Sequence, residues 1–420
     1  MRVSIGRSSI RGHVMAPSSK SYTIRGLMCA ALAEGESELV FPLLADDTEA
    51  AGGVLKQIGV SIDQDQDSWH VTGGKFRTPE SDLDCRESAA TLRFMAAIAA
   101  TVPEGCRLTA KPSLARRPIG ALVEALRQVG VECTQDTSGG VVVVNGANFK
   151  GGLASLPGNI SSQYVSALLL IAPLAKDGMT VRLTTPLESR PYVEMTIQCL
   201  SQFDITIEPS PDYREFKASR QKYRPARYVV EGDWSSISYL LALGAVAGDI
   251  EIANINPGSL QGDKILLEFL GQMGANVSVG DDAVRVAKGS LKSISVDITD
   301  CIDLLPTVAV LAAMADGTSE LRGIARARLK ESDRVLSVKN ELEKAGVEII
   351  EEKDRMMVVG TKPRGAAFQS HGDHRIAMAM SVLGAACGNT VIDGAECVAK
   401  TYPEYWQTLS SVGGKVGIDV

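Results

Sequence analysis

The chain has 420 residues and a net charge of −7, with 45% apolar and only 5% aromatic residues. That length suits two or three domains with a sizeable core, and the composition favours Ala-, Val- and Leu-packed helices on sheets. The negative charge excludes a global basic field for DNA, RNA or an anionic membrane, so an anionic ligand must be held by local clusters of Lys and Arg.

The eight cysteines form no C-x-x-C pair and do not alternate with histidine, which predicts reduced, mostly buried thiols and no zinc site. Residues 1–10 carry polar Ser and Arg where a signal peptide needs an apolar stretch. No apolar run approaches the ~18 residues of a membrane span. The expectation is a soluble, cytoplasmic protein.

Taken in chain order, residues 1–12 read as an extra strand that joins the far half of the chain. Ser19-Lys20-Ser21 then opens an Ala/Leu-rich helix, followed by a turn at Gly35 and a β-branched strand. The same plan returns over 87–108, 161–183, 234–252, 303–321 and 373–392, with turn glycines Gly105, Gly178, Gly248, Gly317 and Gly388. A second series interleaves with the first. Each member is an amphipathic helix ending in a tight turn before a strand, and Gly59, Gly130, Asp204, Gly274, Gly346 and Gly413 take the position where a left-handed backbone favours glycine. Successive members of either series lie 67–74 residues apart. Two independent series with one period imply six copies of a unit of about 70 residues, too small to be stable alone. The copies divide into two lobes of three, 13–230 and 1–12 plus 231–420.

The helix starts carry the chemistry. Ser and Asp there need no functional account, because they cap free N–H groups. Lys and Arg do, since a cation at that end opposes the helix dipole at roughly 0.3–1 kcal/mol each. Lys20, Arg117, Arg190, Lys330 with Arg334, and Arg375 stand at such starts, with Pro118 and Pro191 read as first-turn prolines; Lys400 makes a sixth. A single one is best read as a solvated surface cation. Six in equivalent places point to anion binding.

Other motifs carry less. Phosphate-binding G-x-x-x-x-G-K-[ST] and G-x-G-x-x-G loops are absent. Asp63-x-Asp65-x-Asp67 lacks the Gly and Glu of a calcium loop and reads as a polar hairpin turn. His371 and His374 have no evident third ligand. No metal and no cofactor are expected.

Against this background, Lys20-Ser21 with Arg25, Arg117-Pro118-Ile119-Gly120, Ser161-Ser162-Gln163-Tyr164 and Ser189-Arg190-Pro191-Tyr192 resemble motifs of the EPSP synthase (3-phosphoshikimate 1-carboxyvinyltransferase) family. So do Glu231-Gly232-Asp233 with Ser235-Ser236, Gln261-Gly262-Asp263, Lys330-Glu331-Ser332-Asp333-Arg334, Asp373-His374-Arg375 and Ala399-Lys400-Thr401, in colinear order over about 11–407. The resemblance implies an α/β enolpyruvyl transferase fold: two inside-out α/β barrel lobes closing on shikimate 3-phosphate and phosphoenolpyruvate. It implies action on the route to chorismate and the aromatic amino acids; a monomer is expected, with no nucleic-acid or membrane partner given the net charge. Carried over position by position, Lys20, Ser21, Arg25, Ser161, Ser162, Gln163, Ser189, Tyr192, Asp303 and Lys330 would hold shikimate 3-phosphate. Lys20, Ala89, Arg117, Gln163, Arg334, Arg375 and Lys400 would face phosphoenolpyruvate.

The reaction needs a base on the 5-hydroxyl and an acid for C3 of phosphoenolpyruvate. Asp303 is the candidate base, against the bland reading of a helix cap. Glu331 is the candidate acid, against an ordinary first-turn glutamate, and Lys20 is a further group that could move protons. The nearest rival, the UDP-N-acetylglucosamine enolpyruvyl transferases, should carry a cysteine-bearing lid loop after the Arg117 region, which this chain lacks. A non-catalytic scaffold would be expected to lose Asp303, Glu331 or Lys20, and all three remain. Both lobes contribute to these lists, so neither half should work alone.

Three positions depart from the family pattern: Glu87 replaces Asn, Ala89 replaces Gly, and Arg326 stands where many members have Asn. The Ala89 methyl should crowd inhibitors longer than phosphoenolpyruvate, so glyphosate is expected to bind weakly. Replacing Ala89 by Gly should tighten glyphosate inhibition in a steady-state assay; equal inhibition of both forms would remove the explanation.

Overall fold

The computed structural model describes residues 1–135, 140–145 and 149–419. Its first-series helices are Lys20–Leu32, Ala89–Ile98, Ser162–Ile171, Trp234–Ala247, Leu305–Ala313 and His374–Cys387. Each is apolar nearly all round, and a helix of that kind must be enclosed. In Trp234–Ala247 every side chain from Ser236 to Val246 is buried, and in His374–Cys387 every one from His374 to Ala385. Strands follow at Gly35–Val40, Cys106–Thr109, Met179–Leu183, Gly248–Ala253, Thr318–Arg322 and Thr390–Asp393.

The second-series helices, Asp46–Gln57, Gly120–Gln128, Arg190–Gln202, Leu266–Met273, Arg334–Lys344 and Tyr405–Ser411, keep one wet face. All six turn positions after them are left-handed: Gly59, Gly130, Gly274, Gly346 and Gly413 at φ 83 to 103°, and Asp204 at φ 64°. Asp can adopt this conformation at a modest cost because its short side chain hydrogen-bonds locally. Of the first-series glycines, Gly248 departs from the rest with an extended φ of 172°.

Each repeat closes a four-stranded sheet of one design. The strand after the buried helix is central; a parallel strand lies on one side and an antiparallel pair on the other, a hairpin in every sheet but that of Thr390–Asp393. Alternating burial along the strands, as in Arg2–Gly6, shows one face on the helices and one in water. Asp63, Asp65 and Asp67 sit in and beside the turn joining strands Ser61–Gln64 and Ser68–Gly73, so they form the polar hairpin expected.

Three of the parallel or central strands come from far along the chain. Arg227–Val229 completes the sheet of Gly35–Val40, Ile10–Met15 that of Gly248–Ala253, and Arg2–Gly6 that of Thr390–Asp393. The chain accordingly divides into two compact units, Ser18–Val230 and Met1–Pro17 with Glu231–Val420. The crossing expected at Gly12–His13 falls later, because Ile10–Met15 stays paired with Gly248–Ala253 through Met15, and Asp233 N–H donates to the Pro17 carbonyl at 2.8 Å. In each unit the apolar helices form the interior and three sheets the outside, which is the inside-out α/β arrangement. Among the described residues, no helix is long and apolar enough to cross a membrane.

Gly248 shows how tightly sheet and chain start are fitted. A Cβ there would lie 1.7 Å from the Ile10 carbonyl oxygen. Gly248→Ala should therefore part the two strands and lower unfolding stability by about 2–4 kcal/mol, read as a fall in the urea midpoint; an unchanged midpoint would contradict this packing.

Candidate functional site

In the unit 18–230, the helix starts present a cluster of cations with few acids. Lys20 is the first residue of its helix, capped by Ser19, and its Nζ lies 2.9 Å from Oδ2 of Asp47, which is 5% exposed. Arg25 follows one turn later and is buried. Its Nε donates to Thr196 Oγ1 at 2.8 Å, Nη1 to the Ser21 carbonyl at 2.9 Å and Nη2 to the Tyr192 carbonyl at 3.0 Å. Its guanidinium lies over the rings of Phe94 and Tyr192. These partners are neutral or aromatic, and burial pulls the Arg25 pKa down. A buried cation without a counter-ion costs several kcal/mol, so this position has a charge that an anion would stabilise.

Ser189 has a left-handed backbone, φ 55°, at the start of Arg190–Gln202, with Pro191 in the first turn. Ser161 caps Ser162–Ile171, its Oγ accepting from Gln163 N–H at 3.3 Å. Ser162 is buried beside it. Gln163 Oε1 accepts from Arg93 Nη1 at 2.5 Å, and Arg93 lies over the Tyr164 ring. The Tyr164 hydroxyl donates to the Pro118 carbonyl. Burial raises the Tyr164 pKa while Arg93 and Arg117 pull it down, which places Arg117 in the same cluster. Ala89 is the first residue of its helix and is 6% exposed. Glu87 accepts from Ser113 Oγ at 2.7 Å and so is turned to the segment leading to Arg117.

The unit containing 231–420 holds a denser network, centred on Asp303. Its Oδ1 lies 3.0 Å from Lys330 Nζ and 2.6 Å from Arg334 Nη1, and its Oδ2 is 3.5 Å from Arg375 Nη2. Arg334, 1% exposed, also donates through Nε to Asp373 at 2.8 Å and through Nη2 to Glu331 at 2.5 Å. Lys400 Nζ is 3.9 Å from Glu331 Oε1. Arg375 Nη2 donates to Ser235 Oγ at 3.0 Å, and Ser235 in turn donates to Asp263. Burial alone would raise the Asp303 pKa, but Arg375, Lys330 and Arg334 outweigh it and hold the carboxyl well below its ordinary value. Burial lowers Lys330 to about 8, with Arg334 and Arg326 adding repulsion against the attraction of Asp303. Arg326 donates to the Thr299 carbonyl at 2.6 Å.

Several expectations from sequence need correction. Asp303 is not a helix cap: it lies in the 3-10 turn Thr299–Leu304, and Leu304 precedes the helix without a side-chain cap. Pro118 is not in a first turn, since Ile119 is the cap of Gly120–Gln128, so Arg117 stands upstream in the connection. Lys400 ends the 3-10 turn Ala395–Lys400 instead of opening a helix. Arg190 is stacked on Tyr213 and paired with Glu194 at 2.8 Å, four residues along its own helix. The misplaced-cation argument also changes: Asp47, Glu194, Asp303, Glu331 and Asp373 already offset many of these charges. Among the described residues, no group of three or more His, Cys, Asp or Glu is placed to hold a metal ion.

Sequence reasoning gave no site role to Asp47 or Arg93, and took Ser235 and Asp263 only as parts of family motifs. The first-turn acids Asp46, Asp47 and Glu49 look like ordinary dipole partners, and only the fold shows that Asp47 reaches Lys20.

A family model described as EPSP synthase (3-phosphoshikimate 1-carboxyvinyltransferase) matches residues 5–409. A 3-phosphoshikimate 1-carboxyvinyltransferase of Dehalococcoides mccartyi is 49% identical over 422 residues, covering 100% of both chains. One of Methanothermobacter thermautotrophicus is 39% identical and covers 98% of each. The solved structure of an EPSP synthase from Acinetobacter baumannii is similar in fold, with a TM-score of 0.83 at 24% identity, covering 99% of this chain and 100% of that one. With a family match along nearly its whole length and relatives this similar from end to end, the chain belongs to the EPSP synthase family.

Proposed function

We propose that the protein transfers the enolpyruvyl group of phosphoenolpyruvate to the 5-hydroxyl of shikimate 3-phosphate, releasing phosphate. Its full-length identity to proteins of that name supports the activity. For the site, the supporting observation is one partly buried carboxylate, Asp303, spent on no cap and surrounded by Lys330, Arg334 and Arg375.

In this reading Lys20, Ser21, Arg25, Ser161, Ser162, Gln163, Ser189 and Tyr192, with Asp303 and Lys330, hold shikimate 3-phosphate. Arg25 orders its surroundings: it fixes the Ser21 and Tyr192 backbones and adds positive potential without a carboxylate of its own. Lys20, Arg117, Gln163, Arg334, Arg375 and Lys400 face phosphoenolpyruvate, beside Ala89. Arg334 reaches an incoming anion only if Glu331 or Asp303 yields its place, because its nitrogens are spent on carboxylates.

The chemistry then follows from the charges. Asp303 takes the proton of the 5-hydroxyl as that oxygen attacks C2, and a proton goes to C3 from Glu331 or Lys20. The resulting tetrahedral intermediate loses a proton from C3 and expels phosphate. With its three cations unopposed, Asp303 is too weak a base to do this well. Bound phosphate and carboxylate groups offset those cations and raise its pKa, so base strength comes with occupancy.

Asp303→Ala should lower kcat by roughly 10²–10⁴-fold while shikimate 3-phosphate affinity is largely retained, measured by phosphate release and by calorimetric titration. A near-normal rate would remove Asp303 from the mechanism.

Lys330 carries a pH prediction. Raising pH through about 8 removes its proton and one cation from the phosphate set. The kcat/KM for shikimate 3-phosphate should therefore fall above that pH, and the fall should flatten in Lys330→Arg, whose guanidinium stays charged. An identical alkaline limb in both proteins would assign that limb to another group.

A further inference from the structure

Asp263 is an acid that the reaction scheme above leaves unused. It is 2% exposed, lies in the 3-10 turn Gly262–Ile265 and caps no helix. One oxygen, Oδ2, accepts the Ser235 hydroxyl; the other, Oδ1, is buried without a hydrogen-bond partner. Burial drives its pKa up to about 7 although Arg375 and Ser235 pull it down. An acid kept at that cost, with half its acceptor capacity unsatisfied, calls for a role outside local packing.

The geometry supplies one. Ser235 has a single proton, and it goes to Asp263, so the Ser235 oxygen is left as an acceptor for Arg375 Nη2 at 3.0 Å. That same Nη2 lies 3.5 Å from Asp303 Oδ2. Nη2 carries two hydrogens and shares them between the Ser235 oxygen at 3.0 Å and Asp303 Oδ2 at 3.5 Å, so the shorter bond to Ser235 limits how closely the guanidinium settles on Asp303. On the other side, Arg375 Nη1 faces the Tyr239 hydroxyl at 3.4 Å. Without Ser235, Coulomb attraction would draw the guanidinium onto Asp303 in a closed ion pair, and both groups would be withdrawn from ligand.

We propose that Asp263 and Ser235 are positioning residues: Asp263 fixes the Ser235 hydroxyl, which keeps Arg375 from pairing more closely with Asp303 and aims it at the anionic group of phosphoenolpyruvate. The inference rests on Arg375 being a phosphoenolpyruvate ligand, as read above. Neither residue touches substrate in this scheme, and their effect passes through one arginine.

The test is steady-state kinetics with both substrates varied, on Ser235→Ala, Asp263→Ala, Asp263→Asn and Arg375→Ala, and on Ser235→Ala combined with Arg375→Ala. Hydrogen bonds to charged groups are worth enough to expect about a 10-fold rise in the KM for phosphoenolpyruvate in Ser235→Ala and in Asp263→Ala. The KM for shikimate 3-phosphate should stay within about two-fold, and Ser235→Ala should add nothing once Arg375 is gone. Asp263→Asn keeps an acceptor for the Ser235 hydroxyl and should stay within about three-fold of the parent. A KM for phosphoenolpyruvate unchanged in Ser235→Ala, a rise shared equally by both substrates, or full additivity with Arg375→Ala would overturn the proposal. If Arg375→Ala itself leaves the KM for phosphoenolpyruvate unchanged, the failure lies in the assignment of Arg375. Thermal melts accompany each variant; should Asp263→Ala not fold, Ser235→Ala and the double variant decide alone.

Discussion

The six buried helices set the terms for everything else in the molecule. Each is sheathed in apolar contacts along its length, so polar groups can collect only where the helix begins. There the first N–H groups have no partner within the helix and must find one. Ser19, Ser161, Asp233 and Asp373 meet that need directly. Along their length these helices are closed to water, so their starts are where they can offer unpaired donors.

Placing cations on that surface creates an electrostatic problem that the two units handle differently. Around Asp303 acids and bases are interlaced, and each charge leans on a neighbour: Arg334 on Asp373 and Glu331, Lys330 on Asp303. Such a network is close to neutral, because each cation in it has a carboxylate within reach. Around Arg25 the positive charge is held by carbonyls, a hydroxyl and aromatic faces. The cations around Asp303 are met by carboxylates, whereas Arg25 is met by neutral and aromatic groups, although Lys20 in the same unit pairs with Asp47.

The repeat, its period and the left-handed turns were legible because each is a local property of the chain. A glycine or aspartate after an amphipathic helix has a backbone reason wherever it occurs, and all six positions followed it. The caps were read less well where a 3-10 turn intervenes. Asp303 and Lys400 sit in such turns, whose short span leaves little periodicity to detect. The carboxylate partners were not legible at all. Asp47 lies 27 residues from Lys20 and Asp373 lies 39 from Arg334. The first pairing joins the two helices of one repeat and the second joins neighbouring repeats, and neither exists until those helices are packed side by side.

The borrowed strands have a consequence for how the chain acquires its structure. Residues 2–6 pair with 390–393 and 415–419, and residues 10–15 with 248–253. A ribosome releases those partners in the opposite order from the one in which they are needed. The unit 18–230 has all its strands once Arg227–Val229 emerges, and can fold while synthesis continues. The other unit can pair Ile10–Met15 once Gly248–Ala253 emerges, but it must keep Arg2–Gly6 unpaired until almost the entire chain exists. Closing so long a loop adds little to the equilibrium cost, which grows only logarithmically with length, but it delays completion. The unit bearing Asp303 and Arg375 is thus the last to form.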